Sequence, residues 1–308
     1  MRKLVLILVS LNAIAGGPFS PPASFLESTA IPKESHRITA WATGGYAEFS
    51  GYLNIEDKEL GFALLGTVSN TFGESDGSIW SLGDSGVVVL TFEKYISDNE
   101  GFDLAIFENS FSETFLELAF VEVSSDGVNF FRFPSTSLTD TSKNIGGFGS
   151  LDASNLNNLA GKYKAGYGTP FDLADIPDTA LLNKQAVQYV KIIDVIGTNS
   201  NYGSLDSKGN KIIDPFPTPF SSGGFDLDAV AVLGNSTSEN EVLLTSFSPY
   251  PNPTNSILDF NVEGFKTLFD ISGQQVLTTS MSFIDLSTFP NGTYFVSYKS
   301  EVFKIIKI

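Results

Sequence analysis

The sequence predicts an all-β protein, a β-sandwich or barrel body followed by a smaller β-domain, and three observations carry that prediction. Its apolar runs are short and rich in Phe (27 in all), and 28 Gly with many Asn, Asp and Ser punctuate them. No stretch keeps the roughly 3.6-residue period of an amphipathic helix over many positions. Asp126-Gly127 joins two such runs, which is the short-range signature of a hairpin turn.

In chain order, residues 1–15 read as a signal peptide. Arg2 and Lys3 precede the apolar run Leu4 to Val9, and Ala13-Ile14-Ala15 offers the small residues of a cleavage site. A spanning helix needs roughly 20 apolar residues, and this run is shorter and meets Gly16, Gly17 and Pro18. The body is assigned to residues 16–240. Buried strands are predicted at Val87 to Phe92, Phe102 to Phe107, Leu116 to Ser124, Val128 to Phe133, Val187 to Val195 and Phe225 to Leu233. Long loops from Pro134 to Ile176 and from Gly197 to Gly224 are where binding tends to sit on a β scaffold, and a short helix fits within Ser154 to Leu159. Trp80 is expected in the core. The polar stretch Asn235 to Asn240 reads as a linker, which sets the second domain at residues 241–308.

Composition excludes several chemistries. The formal charge of −17 argues against nucleic acid, whose binding needs Lys and Arg on phosphates. Cys is absent and His36 is the single histidine, so Ser-His-Asp catalysis and a zinc site of the usual nitrogen and sulfur type find no residues. No catalytic residue is assigned. A polysaccharide-acting enzyme with paired carboxylates stays open as an alternative, with Glu108, Glu113, Glu117 and Glu122 as candidates by position.

Two groups of residues are candidate sites. Asp226 and Asp228 are two apart on a predicted strand, so their carboxylates share a face opposite Phe225, Leu227 and Ala229. Gly101-Phe102-Asp103-Leu104 echoes the Gly-Phe-Asp-Leu at 224–227 and leads to Glu108. Asp103, Glu108, Asp226 and Asp228 therefore form a candidate carboxylate cluster at one end of a sheet. It meets either a metal, calcium being the cation such oxygens suit, or a structural Arg. Asp206 to Asp214 has Asp and Asn around Gly209, but Lys208 and Lys211 favour a plain turn. The second group is Lys162, Tyr163, Tyr167 and Phe171, aromatic faces beside donors that suit a sugar ring.

From Tyr250 onward, Tyr250-Pro251-Asn252-Pro253, Ile257 to Phe260, Phe269 to Val276, Ile284 to Ser287, Pro290 to Val296 and Val302 to Ile308 resemble the C-terminal sorting domain of type IX secretion. That resemblance implies a small immunoglobulin-like sandwich and recognition by an outer-membrane export machine. It also implies a Gram-negative source and a secreted or cell-surface location reached through the periplasm. Gly101 to Phe111, Phe120 to Phe130, Leu159 to Leu173 and Pro217 to Val230 resemble an uncharacterised family of bacterial cell-surface proteins. The hairpin Val121 to Phe130 is also similar to that of galactose-binding-like jelly rolls of the discoidin type, which implies a jelly-roll body and a lectin or adhesion role, often with calcium. The function expected is a non-catalytic binding module for glycan or another extracellular ligand. A structural or uptake-associated surface protein is a further alternative.

Overall fold

Period-two alternation decides which face each segment buries, and it builds two main sheets and one two-stranded pair in the body. The computed structural model describes residues 16–25, 27–234, 249–260, 265–298 and 301–308. The predicted signal peptide and the linker Asn235 to Asn240 lie outside the described residues. In the body the strands are β1 (Ile31–Pro32), β2 (Ile38–Trp41), β3 (Gly44–Phe49), β4 (Trp80–Ser81), β5 (Val87–Ile96), β6 (Leu104–Glu108) and β7 (Ala119–Ser124). They continue with β8 (Phe131–Arg132), β9 (Thr136–Ser137), β10 (Leu156–Asn157), β11 (Tyr167–Phe171), β12 (Val187–Asp194) and β13 (Asp226–Leu233).

One sheet runs β1-β11-β6-β13-β2, with β4 also paired to β13, and the other runs β3-β5-β12-β7-β8. Every pairing in them is antiparallel. The chain passes from β2 across to β3, back to β4, across to β5, back to β6, across to β7 and β8, back to β11, across to β12 and back to β13. That repeated change of sheet is the jelly-roll winding. Between the sheets, Val88, Leu90 and Phe92 of β5 meet Leu104 and Ile106 of β6, with Trp80, Val121, Val190 and Leu227 in the same core.

β7 is apolar on both faces, and this explains why the long loops are ordered. Ala119, Val121 and Val123 point into the main core, while Leu118 and Phe120 join a second core with Leu151, Leu156, Leu159, Val195 and Ile212. The loop residues thus cover the outer face of the second sheet. The helix expected within Ser154 to Leu159 is one 3-10 turn, Ala153–Asn155, capped by Asp152 and followed at once by β10. The register of β13 shifts between Leu227 and Ala229. Leu227 and Val230 consequently face the main core, while Ala229 faces a separate cluster with Ala105 and Phe107. The simple alternation expected from Phe225 to Ala229 is broken by this bulge at Asp228.

The second unit holds β14 (Ile257–Asp259), β15 (Lys266–Asp270), β16 (Gln275–Thr279), β17 (Phe283–Asp285), β18 (Gly292–Tyr298) and β19 (Glu301–Lys307). β14 pairs with β17, and the other four form a sheet in the order β16-β15-β18-β19. Leu258, Leu268, Ile284, Leu286, Val296 and Ile305 are its core. The chain divides into compact units at Asn235 and Ser236, a few residues before the boundary expected at 240.

Phe171 is fully buried, its ring 4.9 Å from that of Phe133. Phe171→Ala should cost the fold about 3–5 kcal/mol, measured by denaturant unfolding. A loss below about 1 kcal/mol would contradict this placement.

Candidate functional site

The most distinctive chemistry gathers at one end of the sandwich, where β6 ends, β13 begins and the segment before β7 passes. Glu108, the last residue of β6, is opposite Leu227 of β13. Asp226 is opposite Ser81 of β4 and accepts the Ser81 hydroxyl hydrogen bond. Glu117 precedes β7 and is fixed by its backbone. Ala119 and Ala160 exchange main-chain hydrogen bonds at 3.1 and 2.9 Å, which brings Gly161 against the Glu117 carbonyl. Gly161 has φ 79°, and a Cβ there would lie 1.8 Å from that carbonyl oxygen, so this position needs glycine on both counts.

Glu108, Glu117 and Asp226 line one cavity of about 240 Å³. Its mouth is apolar. Phe111 stacks on Phe115 at 4.6 Å, Phe115 lies 6.3 Å from Phe148, and Phe148 lies 5.8 Å from Phe220. Phe111 and Phe148 are both 74% exposed. Four rings from three separate loops thus make a continuous band beside a carboxylate floor. Among the described residues, no Lys, Arg or His lines the cavity.

The floor is desolvated. Glu108 accepts a hydrogen bond from its neighbour Ser110 N at 2.8 Å, yet burial, with the charge of Asp226 behind it, holds its carboxyl well above the usual range. Burial also lifts Glu117 well above that range, reinforced by Glu108 and Asp226. Asp226 is pushed up by burial to about 6. Glu117 is 6% exposed, and its carboxylate accepts no hydrogen bond among the described residues.

Behind this floor three more buried carboxylates accept hydrogen bonds from main-chain N–H groups. Asp194 accepts from Ser85 N (2.9 Å) and Phe225 N (2.8 Å), Asp214 from Leu118 N (2.9 Å), and Asp84 from Ile55 N (2.7 Å). Burial raises all three, Asp84 to about 6. None of these six carboxylates takes part in an ion pair among the described residues.

Of the four carboxylates expected to cluster, Asp103 is set apart from the other three. Glu108 and Asp226 share the cavity. Asp228, at the bulge, accepts from Ser75 Oγ (2.6 Å) and Gly77 N (3.3 Å). Asp103 lies before the other end of β6, five residues from Glu108 and so about 16 Å along the strand. It accepts from Asn99 N (2.9 Å) and Leu173 N (2.8 Å). There Asp98, Asp103 and Asp172 bring carboxylate oxygens within 4.8 Å of one another. Among the described residues no other such trio comes as close, so the cavity carboxylates are more widely spread. Among the described residues neither place pairs with an Arg: Arg132 pairs with Glu122 at 2.8 Å, and Arg37, although close to Asp103, donates to the Phe102 carbonyl at 3.4 Å.

The aromatic loop is largely interior. Phe171 is in the core, and Tyr163 is buried with its hydroxyl near Thr29 and Ser20. Lys162 is buried, donates to Leu156 O at 2.8 Å, and is pushed down by burial to about 8. Tyr167 is half-buried on β11. Three of the four side chains have no face left for a ligand. The rings that do face solvent, Phe111, Phe148 and Phe220, were not singled out in the sequence. Their signal was a bare Phe among loop-forming residues, as in Gly146-Gly147-Phe148-Gly149.

Each raised carboxyl holds its proton more tightly in the folded chain than unfolded, where Asp titrates near 3.8. The stability this confers is complete below about pH 4. It is lost as the pH rises through the folded values, about 6 for Asp84 and Asp226 and well above the ordinary carboxylate range for Glu108 and Glu117. The melting temperature in chelator should therefore be several degrees higher at pH 5 than at pH 8 by calorimetry. A higher value at pH 8 would show that these groups are not desolvated.

Residues 248–308 match the family model of the secretion system C-terminal sorting domain. A search of curated proteins finds no match to the chain. The matched segment is the tail recognised by type IX export machinery, so the protein is exported to the cell surface or beyond. No helix of the described residues is long and apolar enough to cross a membrane.

Proposed function

We propose that this type IX-exported protein is a non-catalytic binding module whose jelly-roll body takes an extracellular glycan in the cavity at the Glu108 end of the sandwich. The observation that carries the reading is the pairing of a carboxylate floor with a band of four Phe rings. A sugar presents an apolar C–H face and a polar hydroxyl edge. The rings suit the first and the carboxyls the second. The rings come from loops between strands, where a rigid scaffold supports variable recognition.

Calcium enters this reading as a clip at the opposite end of β6. Asp98, Asp103 and Asp172 bring three acidic side chains close enough for one ion. A calcium concentration 100-fold above Kd adds about 2.7 kcal/mol to the folded state. The melting temperature should therefore rise by several degrees with calcium and fall back with EDTA. No response to either would remove the metal from the account.

Glycan binding is tested by array screening of the purified protein, followed by calorimetry with the best oligosaccharide. Phe111→Ala and Phe148→Ala should each weaken binding about tenfold, or 1.4 kcal/mol, with unchanged melting because both rings are exposed. Undiminished affinity in both variants would sink the reading.

One observation favours a second reading, a hydrolase. Asp226 is raised to about 6 and burial lifts Glu117 well above the ordinary carboxylate value, so two desolvated carboxyls line one cavity, and an acid–base mechanism draws on a pair whose environments set them apart. Release of reducing ends from a bound glycan, abolished by Glu117→Gln with binding retained, would establish that reading over the first.

A further inference from the structure

The cavity floor has a charge imbalance that a neutral saccharide does not relieve. Glu108, Glu117 and Asp226 line one cavity, and no cationic side chain lines it among the described residues. Ser110 N serves Glu108 and the Ser81 hydroxyl serves Asp226. Glu117 has no hydrogen-bond partner among the described residues, although it is 94% buried by the 6% exposure of its surface. A buried carboxylate facing a cavity without a donor is a group awaiting one from a ligand.

The spread of the three carboxylates separates this place from a metal site. Their oxygens do not gather within 4.8 Å as those of Asp98, Asp103 and Asp172 do, whereas a calcium ion needs its oxygens at 2.3–2.6 Å. The cavity is also larger than one ion requires, at about 240 Å³. Its wall is apolar and aromatic, and hard cations gain little from such a wall. An ammonium on a carbon frame gains from both parts. Its N–H groups reach carboxylates as charge-assisted hydrogen bonds, and its polarised C–H surface lies against ring faces. The formal charge of −17 draws such a ligand toward the protein from a distance.

We infer that the ligand of this cavity carries a positively charged nitrogen, an amine-bearing saccharide seated with its ammonium on Glu108, Glu117 and Asp226 and its C–H face on the Phe111–Phe148 band. This rests on the proposed binding role of the cavity and narrows it to amino sugars with a free amine.

The test is calorimetric titration of the full chain with three β-1,4-linked tetramers that differ at one position. These are the glucosamine tetramer, its N-acetylated form and the glucose tetramer. The free-amine tetramer should bind at least tenfold more tightly than the other two. Glu117→Gln, which keeps the shape of the side chain, should remove that preference while melting stays level or rises. Glu93→Gln, on an exposed part of β5, should leave it intact. Equal affinity for all three tetramers, still lost in Phe148→Ala, would overturn the charged-nitrogen inference and leave the glycan reading standing. A preference for the amine that survives Glu117→Gln would reduce it to attraction by net charge and overturn it as well. Calcium binding that depends on Glu117, with no amine preference, would replace it with a metal site. Failure of all three tetramers to bind would overturn the charged-nitrogen inference, and the absence of any ligand on the glycan array as well would overturn the glycan reading.

Discussion

Desolvation of carboxylates without basic partners is the constraint on which the rest of this structure turns. Six acidic side chains, Asp84, Asp194, Asp214, Glu117, Glu108 and Asp226, gather around one end of the sandwich, and none of them takes part in an ion pair among the described residues. Burying one charge costs several kcal/mol unless hydrogen bonds or a counter-charge meet it. The main chain meets part of that cost. Asp194, Asp214 and Asp84 take N–H groups from Phe225, Leu118 and Ile55, segments far apart in sequence. The same hydrogen bonds that ease the burial tie the loops of this end to the sheets. Glu117 is the member left over, and it faces the cavity.

The two-faced strand β7 makes this arrangement possible. A strand with one wet face would leave the segment around Glu117 at the surface. Here Leu118 and Phe120 pull the long loops over the outer side of the second sheet, and burial follows from that cover. The loops also deliver Phe148 and Phe220 to the cavity mouth, so one packing event builds both the acidic floor and the aromatic wall. Export to the cell surface or beyond places the body outside the cell.

Much of the fold was legible, because apolar runs such as Val87 to Phe92 and Val187 to Val195 have lengths and flanking turns that only strands satisfy. The jelly-roll order of those strands was reachable through one hairpin resemblance, Val121 to Phe130. The cluster was half legible. Glu108 and Asp226 stood out by their places at strand ends, but pairing of β6 with β13 is antiparallel, so the echoed Gly-Phe-Asp-Leu segments lie at opposite ends and Asp103 falls far from Asp226. The bulge at Asp228 carries no local mark in the sequence. Phe148 and Phe220 were illegible for another reason, since rings 72 residues apart meet only through loop packing. Tyr163 and Phe171 misled because an aromatic beside a Lys looks alike whether it lines a surface or fills a core.

The most direct measurement of the central claim is the carboxyl titration of Glu117 by carbon-detected NMR, assigned with Glu117→Gln. A desolvated, partnerless Glu117 titrates well above the ordinary value of 4.5, and saturation of the cavity with an amine-bearing ligand drives its midpoint back down. A midpoint near 4.5 in the free protein would mean that water reaches the floor, and would contradict the account of a cavity built on buried, unpartnered carboxyls.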